Sequence, residues 1–386
     1  MVDQKSKPNS SIMKNFIYLG LFLLLMACNS QKAKETTSQE TTPAATGPMQ
    51  WLTFDAAESN GKHIVFITGD EEYRSEEGLS QMAKIMSTRH GFKSTVLYAQ
   101  EPDKPGIINP NYTRNIPGLE SLKSADMVVI LTRFRALPHE QMLLIDNYLK
   151  SGKPILGLRT STHAFNFGKN DSTSQWKHYA NSYNGDKEEW KGGFGRFILG
   201  EKWISHHGQH KHQSTKGLFA PGAEGHAILN GIKDGEIWGS TDVYGVRLPL
   251  PGDSQPIVLG QVTNRKGEYD ENDVFYGMRP TDDEAATTNK KGEKLNDPMM
   301  PVAWTKSYQL PGGKKGKAFT TTLGASSDLL SESLRRMVVN GIYWAMDLPV
   351  PAKADVTLVG TYNPSQYGFQ SDAFWIEKNM KVSDFK

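Results

Sequence analysis

The sequence predicts an α/β three-layer sandwich with a mostly parallel central sheet. Two observations carry that prediction. From His63 onward, short apolar runs alternate with helical patterns, as βαβ units do when a sheet is covered on both faces. The composition, 37% hydrophobic and 22% charged over 386 residues, is that of a soluble globular chain with enough length for a large core.

The elements follow in order. His63-Ile64-Val65-Phe66-Ile67-Thr68 reads as the first strand, and Gly69 to Arg74 as a polar turn. Ser75 is placed to cap a helix that carries Leu79, Met82, Ala83 and Met86 on one face and stops at Gly91. Residues 94–98 form a second strand, 118–123 a short helical signal and 126–131 a third strand. Pro138 opens a helix with Met142, Ile145 and Leu149, Ser151-Gly152 closes it, and residues 154–158 are the fourth strand. Between Trp238 and Met300 the pattern loosens into strands and long polar loops. Strands resume at 301–304 and 318–323. Residues 331–346 read as an amphipathic helix that buries Leu334, Val338, Ile342 and Ala345.

The chain divides into residues 1–28, a lipoprotein signal peptide; 29–50, a flexible tether; 51–350, the α/β domain; and 351–386, an extension packed on it. The apolar run Phe16 to Ala27 is shorter than the ~20 residues a spanning helix needs, so it reads as a secretory core. Leu25-Met26-Ala27-Cys28 resembles a bacterial lipobox, which makes Cys28 the candidate lipidation site; the plainer reading is an untouched thiol in an ordinary signal peptide. Lipidation would fix the protein to a membrane in the cell envelope, and Asn29-Ser30 favours the outer membrane, facing the periplasm. The tail aromatics Tyr362, Tyr367, Phe369, Phe374 and Trp375 fit either a sugar-stacking lid or a docked extension.

Charge and cysteine content exclude two classes. With 44 Lys plus Arg and 42 Asp plus Glu, the net charge is 44 − 42 = +2, too small for the field that a nucleic-acid partner requires. Cys28 is the one cysteine, so the thiolate chemistry of glutamine amide hydrolysis has no nucleophile in the domain. Thr160 or Ser161 could replace it only with a base in reach. The 8 Trp, 14 Tyr, 36 Gly and 20 Pro point to long structured loops around a pocket, as in carbohydrate-handling proteins.

In an open parallel sheet, ligands bind beyond the carboxyl ends of the strands. The residues there are Asp70, Glu71, Glu72 and Arg74 after the first strand, Arg133 and Arg135 after the third, and Arg159, Thr160 and His163 after the fourth. His163 and Glu72 are candidate acid–base groups, and Arg159 a candidate for holding an oxyanion or enolate. The blander readings are a solvated loop for the charged turn and a packed imidazole beside Phe165 for His163.

His206, His207, His210 and His212 are four of the chain's 10 His within seven positions. Alternate side chains of an extended segment share a face, and so do positions 206 and 210 of a helix, so either geometry could present imidazoles to zinc or a similar divalent metal. Asp242, Glu72 or His163 could complete the shell. The alternative is a solvated polar loop, and no HExxH-like spacing supports the metal.

Several stretches resemble the ThuA-like, or trehalose-utilisation, family across roughly residues 60 to 350. They are His63-Ile64-Val65-Phe66-Ile67-Thr68-Gly69, Gly157-Leu158-Arg159-Thr160-Ser161-Thr162-His163-Ala164-Phe165, Leu199 to Gly208, Pro301-Val302-Ala303-Trp304, and Gly316 to Gly324. The resemblance implies the class I glutamine amidotransferase-like (flavodoxin-like) fold without its catalytic cysteine, and an association with carbohydrate use, particularly keto-sugars. It places His206 and His207 on the family's histidine and Asp242 and Tyr244 on its acidic-x-Tyr element. Residues His226 to Ile232 match a His-Pro-Ile-x-x-Gly-Leu pattern with Ala227 in place of proline. Arg159 and Gly324-Ala325 stand where many members carry histidine.

The expected site therefore has His163, Glu72, Arg159 and Asp242 as catalytic residues and Asp70, Arg133, Thr160 and Tyr244 as substrate-binding residues. His206, His207, His210 and His212 are the expected metal ligands. The expected ligand is a carbohydrate or keto-sugar. Two functions follow: an enzyme working by acid–base, metal-assisted chemistry, or a catalytically silent sugar-binding lipoprotein.

Overall fold

The computed structural model describes residues 47–168, 174–289 and 291–386, so the expectations for the signal segment, Cys28 and most of the tether lie outside the described residues. Among the described residues no helix is long and apolar enough to cross a membrane.

Ten strands form one sheet. In chain order they are β1 (Trp51–Phe54), β2 (His63–Gly69), β3 (Lys93–Leu97), β4 (Met127–Thr132), β5 (Ile155–Leu158), β6 (Gln213–Phe219), β7 (Ile237–Gly239), β8 (Gln255–Asn264), β9 (Met300–Tyr308) and β10 (Gly316–Thr321). Their spatial order is β1-β3-β2-β4-β5-β10-β9-β8-β6-β7. Every residue of β2, β4 and β5 is buried. Successive side chains of a strand point to opposite faces. Accordingly Ile64, Phe66, Val129 and Leu131 join one apolar cluster, while Val65, Ile67, Val128 and Ile130 join another.

The expectation of a mostly parallel sheet is corrected. The pairs β2–β3, β2–β4, β4–β5 and β5–β10 are parallel. The pairs β1–β3, β10–β9, β9–β8, β8–β6 and β6–β7 are antiparallel. The cause is local. Parallel neighbours need a crossover of a dozen or more residues, usually a helix. The described residues between Gln213 and Thr321 contain no α-helix, so those strands fold back on one another.

The α-helices are α1 (Ser75–His90), α2 (His139–Lys150), α3 (Gly193–Phe197), α4 (Glu332–Ala345) and α5 (Asp372–Lys378). Leu79 and Met82 of α1 and Leu334 and Val338 of α4 belong to the first apolar cluster; Met142, Ile145 and Leu149 of α2 belong to the second. Gly91 ends α1 with φ 75°, a left-handed conformation that glycine adopts without strain. Ser75 does not cap α1 as expected: Arg74 holds that position, and the Ser75 hydroxyl instead accepts from the backbone N–H groups of Gly69 and Asp70 at 3.0 and 3.1 Å. That contact braces the turn leaving β2. The residues beyond 350 pack on the domain, with Ala354, Val356, Trp375, Met380 and Val382 buried in the first cluster.

Candidate functional site

Four separate stretches of chain converge beyond the ends of β2, β4, β5 and β7. The turn after β2 is set by Asp70, whose Oδ1 accepts the backbone N–H of Glu72 at 2.7 Å and of Tyr73 at 2.6 Å, while the Thr160 hydroxyl donates to its Oδ2. Asp70 and Thr160 are both fully buried, so the two expected substrate-binding groups are committed to each other and fasten the β2 and β5 loops together. Burial, and after it the neighbouring Glu71, raises the Asp70 carboxyl to about 6.

After β5 the chain enters a tight turn with Arg159 at φ 42°. The Arg159 guanidinium has no exposure. It donates through Nη1 to the carbonyls of Asp242 and Thr322 at 2.7 and 2.8 Å, and through Nη2 to Asp242 Oδ1 at 3.0 Å and the Tyr73 hydroxyl at 3.1 Å. The rings of Tyr244 and Tyr73 lie 3.8 and 4.6 Å from its central carbon. With its surface covered in this way, Arg159 holds Asp242 and presents nothing to a ligand.

Asp242 follows β7. The preceding Ser240 and Thr241 are pinned by the buried Asp328, which accepts from Ser240 Oγ, Thr241 N and Thr241 Oγ1 at 3.1, 3.0 and 2.6 Å. The segment carrying the histidines lies alongside, since His207 N and Gly208 N both donate to the Val243 carbonyl and His206 bridges Tyr244. Asp242 is itself fully buried. His206 Nδ1 lies 2.7 Å from Asp242 Oδ2 and His210 Nδ1 3.0 Å from Oδ1. Burial alone would raise this carboxyl, but Arg159 and the two imidazoles hold it well below the usual carboxylate range. An ionised carboxylate only accepts, so both Nδ1 atoms carry the hydrogen.

His210 Nε2 faces a second carboxylate, Glu72 Oε1, at 3.2 Å. Burial disfavours its charge, yet Asp242 and Glu72 outweigh that and raise its pKa. His206 is the open member of the cluster: its side chain is 38% exposed. The remaining charge at the rim is Arg133, 21% exposed, which pairs with Glu71 and lies 3.9 Å from Glu72 Oε2. Its guanidinium sits between the rings of Phe134 and Phe369, at 4.6 and 4.8 Å.

The structure thus brings Glu72, Arg159, Asp242, Tyr244, Arg133, His206 and His210 together. His163 is adjacent but makes no hydrogen bond to the cluster. Its buried ring lies 4.9 Å from Phe134, 5.3 Å from Trp203 and 6.2 Å from Tyr244. Burial, then Arg133 and Arg159, push its pKa well below the ordinary imidazole value, which makes it a weak base. His207 and His212 are not brought in. His207 Nε2 is buried without a hydrogen-bond partner, and His212 stacks on Tyr269 at 4.9 Å.

Residues that the sequence reading did not single out complete the site. Tyr73 joins the expected Tyr244 in enclosing Arg159, Asp328 fixes the approach to Asp242, and Trp203 stands 5.8 Å from the His206 ring. The tail forms a wall: Gly368 N donates to the Glu72 carbonyl at 2.7 Å, Arg74 Nη2 donates to the Gly368 carbonyl at 2.9 Å, and Tyr367 lies 5.5 Å from His210. Tyr367 and Trp375 are buried as a docked extension would have them, whereas Phe369 is 57% exposed at the rim.

The fold and the cluster together define a mixed-sheet α/β protein with two imidazoles held by one buried carboxylate beyond its strand ends. No protein-family model matches the chain, and no curated protein matches it. The chain is similar to a solved protein described as ThuA-like from Bacteroides uniformis ATCC 8492, 12% identical with a TM-score of 0.42, covering 75% of this chain and 93% of that one. It is also similar to one so described from Parabacteroides merdae ATCC 43184, 13% identical with a TM-score of 0.43, covering 80% and 97%. Both bear the name of the family that the motifs resemble.

Proposed function

We propose that the cleft binds a carbohydrate, specifically a keto-sugar or a glycoside derived from one, and moves protons on it. The observation that carries this reading is the buried, ionised Asp242 accepting Nδ1 of both His206 and His210. A carboxylate that fixes the tautomer leaves Nε2 of the exposed His206 as the base. A ketone acidifies the C–H bonds beside it. His206 Nε2 takes such a proton, and the bonding pair moves onto the carbonyl oxygen to give an enolate next to the Arg133 charge. The proton then returns to carbon, or leaves with a glycosidic substituent expelled from the neighbouring position. Arg133 takes the role first expected of Arg159, because Arg159 is enclosed. The two apolar clusters on alternate strand residues support reading the frame as a three-layer sandwich of the glutamine amidotransferase-like type.

Incubation with a 3-keto-glucoside in D₂O, followed by NMR, tests the chemistry. Product, or deuterium beside the ketone, is expected with the native protein and is lost in His206→Ala. Saturable binding with neither product nor exchange would instead identify a sugar-binding module. We further propose that Cys28 carries lipid and holds the domain on the outer membrane, facing the periplasm, as the lipobox-like sequence supports. Mass spectrometry of the mature N-terminus should find a diacylated or triacylated cysteine; an unmodified residue there overturns the anchor.

A further inference from the structure

We propose that Nε2 of His206, Nε2 of His210 and the carboxylate of Glu72 bind one divalent metal ion of the zinc class, with Asp242 orienting both imidazoles rather than binding the ion. This rests on the acid–base reading of the same cleft and changes its base: an ion on Nε2 of His206 takes up the lone pair that would accept the proton, so in the metal-bound protein a solvent molecule in the ion's open position accepts the proton in its place.

Potential ligand atoms of His206, His210 and Asp242 all lie within 4.8 Å of one another, and three features decide which of them face the ion. First, the Asp242 oxygens are already occupied. Oδ2 takes His206 Nδ1 at 2.7 Å, and Oδ1 takes His210 Nδ1 at 3.0 Å and Arg159 Nη2 at 3.0 Å. These contacts engage Nδ1 of both rings, which leaves each Nε2 as the nitrogen available to an ion. Metal-binding histidines commonly donate their other ring N–H to a carboxylate, which fixes the ring and aims the free nitrogen at the ion. Here one buried carboxylate does this for two rings.

Second, the spacing suits a single ion. The two ring centroids are 4.9 Å apart. Imidazoles bound through Nε2 at ~2.0–2.1 Å to one tetrahedral ion have their centres about 5 Å apart. Third, the third ligand already approaches: Glu72 Oε1 is 3.2 Å from His210 Nε2, the distance of a shared proton that an ion would displace. The exposure of His206 leaves a fourth position open, as in catalytic rather than structural zinc sites. Arg133, 3.9 Å from Glu72 Oε2, is the charge that opposes the ion, and its pairing with Glu71 limits that opposition.

The test is equilibrium dialysis of the full-length, tag-free protein against zinc chloride, with bound metal counted by mass spectrometry. One equivalent is expected. His206→Gln, His210→Gln and Glu72→Gln each lower affinity at least tenfold, and Asp242→Asn lowers it 10- to 100-fold without removing a ligand. His207→Gln and His212→Gln leave it unchanged. Less than a tenth of an equivalent in the native protein overturns the proposal, as does a loss in His207→Gln or His212→Gln equal to that in His206→Gln. Glu72→Gln keeps the test decisive if Asp242→Asn fails to fold. Because dialysis needs no sugar, the two readings fail separately. Keto-sugar turnover that persists in EDTA without bound zinc sinks the ion alone, whereas tight zinc binding without turnover sinks the reaction alone.

Discussion

The two halves of the sheet contribute different things to one cleft. The parallel half, β3-β2-β4-β5-β10, ends in short turns whose charged side chains are largely committed inside the protein. Asp70 is tied to Thr160, Arg135 to Glu71, and Arg159 to Asp242. The antiparallel half, β9-β8-β6-β7, is flanked by the segments carrying His206, His210 and Asp242, and there an imidazole reaches solvent. The difference teaches that the more regular region supplies fixed charge and positioning, while the region without crossover helices supplies the solvent-exposed imidazole. A strand buried on both faces tolerates little polar surface, so its loops must satisfy their own charges before they face a ligand.

The halves meet along the β10–β9 ladder, and beyond the strand ends Arg159 and Asp242 form a buried ion pair across them; breaking that pair is the strongest challenge to the comparison. Asp242→Asn leaves a guanidinium with no exposure without its anion, beside carbonyls and rings that cannot replace the charge. Removing one partner of a buried ion pair costs about 3–5 kcal/mol. Urea unfolding should show a loss of that size. A variant that unfolds at the native midpoint would mean that the halves do not depend on this pair and that Asp242 is only a local support.

The sequence made one half far more legible than the other. Runs such as Ile64 to Ile67 and Met127 to Leu131 announce strands buried on both sides because they have no polar alternation, and Gly91 marks a helix end by its freedom at φ 75°. The strand-end rule then led directly to Asp70, Glu72, Arg133 and Arg159. Which of these face the cleft was not legible, since that depends on long-range pairs such as Thr160 with Asp70. For the histidines, a count of four in seven positions marked the segment but could not separate His206 and His210 from His207 and His212. That separation comes from the pairing of residues 205–208 with 242–245, whose partners are more than thirty positions apart. The tail was equally opaque. Its aromatics were visible, but nothing local indicated that Gly368 would meet the Glu72 carbonyl.

Glu76 sharpens the comparison from within the parallel half. It lies on α1, which packs against β2 and β3, it is buried, and both of its carboxyl oxygens lack a hydrogen-bond partner. Burial, then the adjacent Glu77, raises its pKa from 4.5 to about 8. The neutral form therefore belongs to the folded state. Below the unfolded-state pKa both states hold the proton and there is no penalty. As pH rises from there toward 8, the unfolded chain releases a proton that the folded chain retains, and stability falls. Glu76→Gln has no proton to lose. Its stability relative to the native protein should grow by on the order of 3 kcal/mol between pH 5 and pH 8. Asp70, raised to about 6, titrates in both proteins and cancels in the difference. Denaturant midpoints across that range measure the effect, and a difference that stays flat with pH would mean that Glu76 is ionised in the fold. Keto-sugar turnover should be the same in the variant, because this helix braces the parallel half without touching the imidazoles.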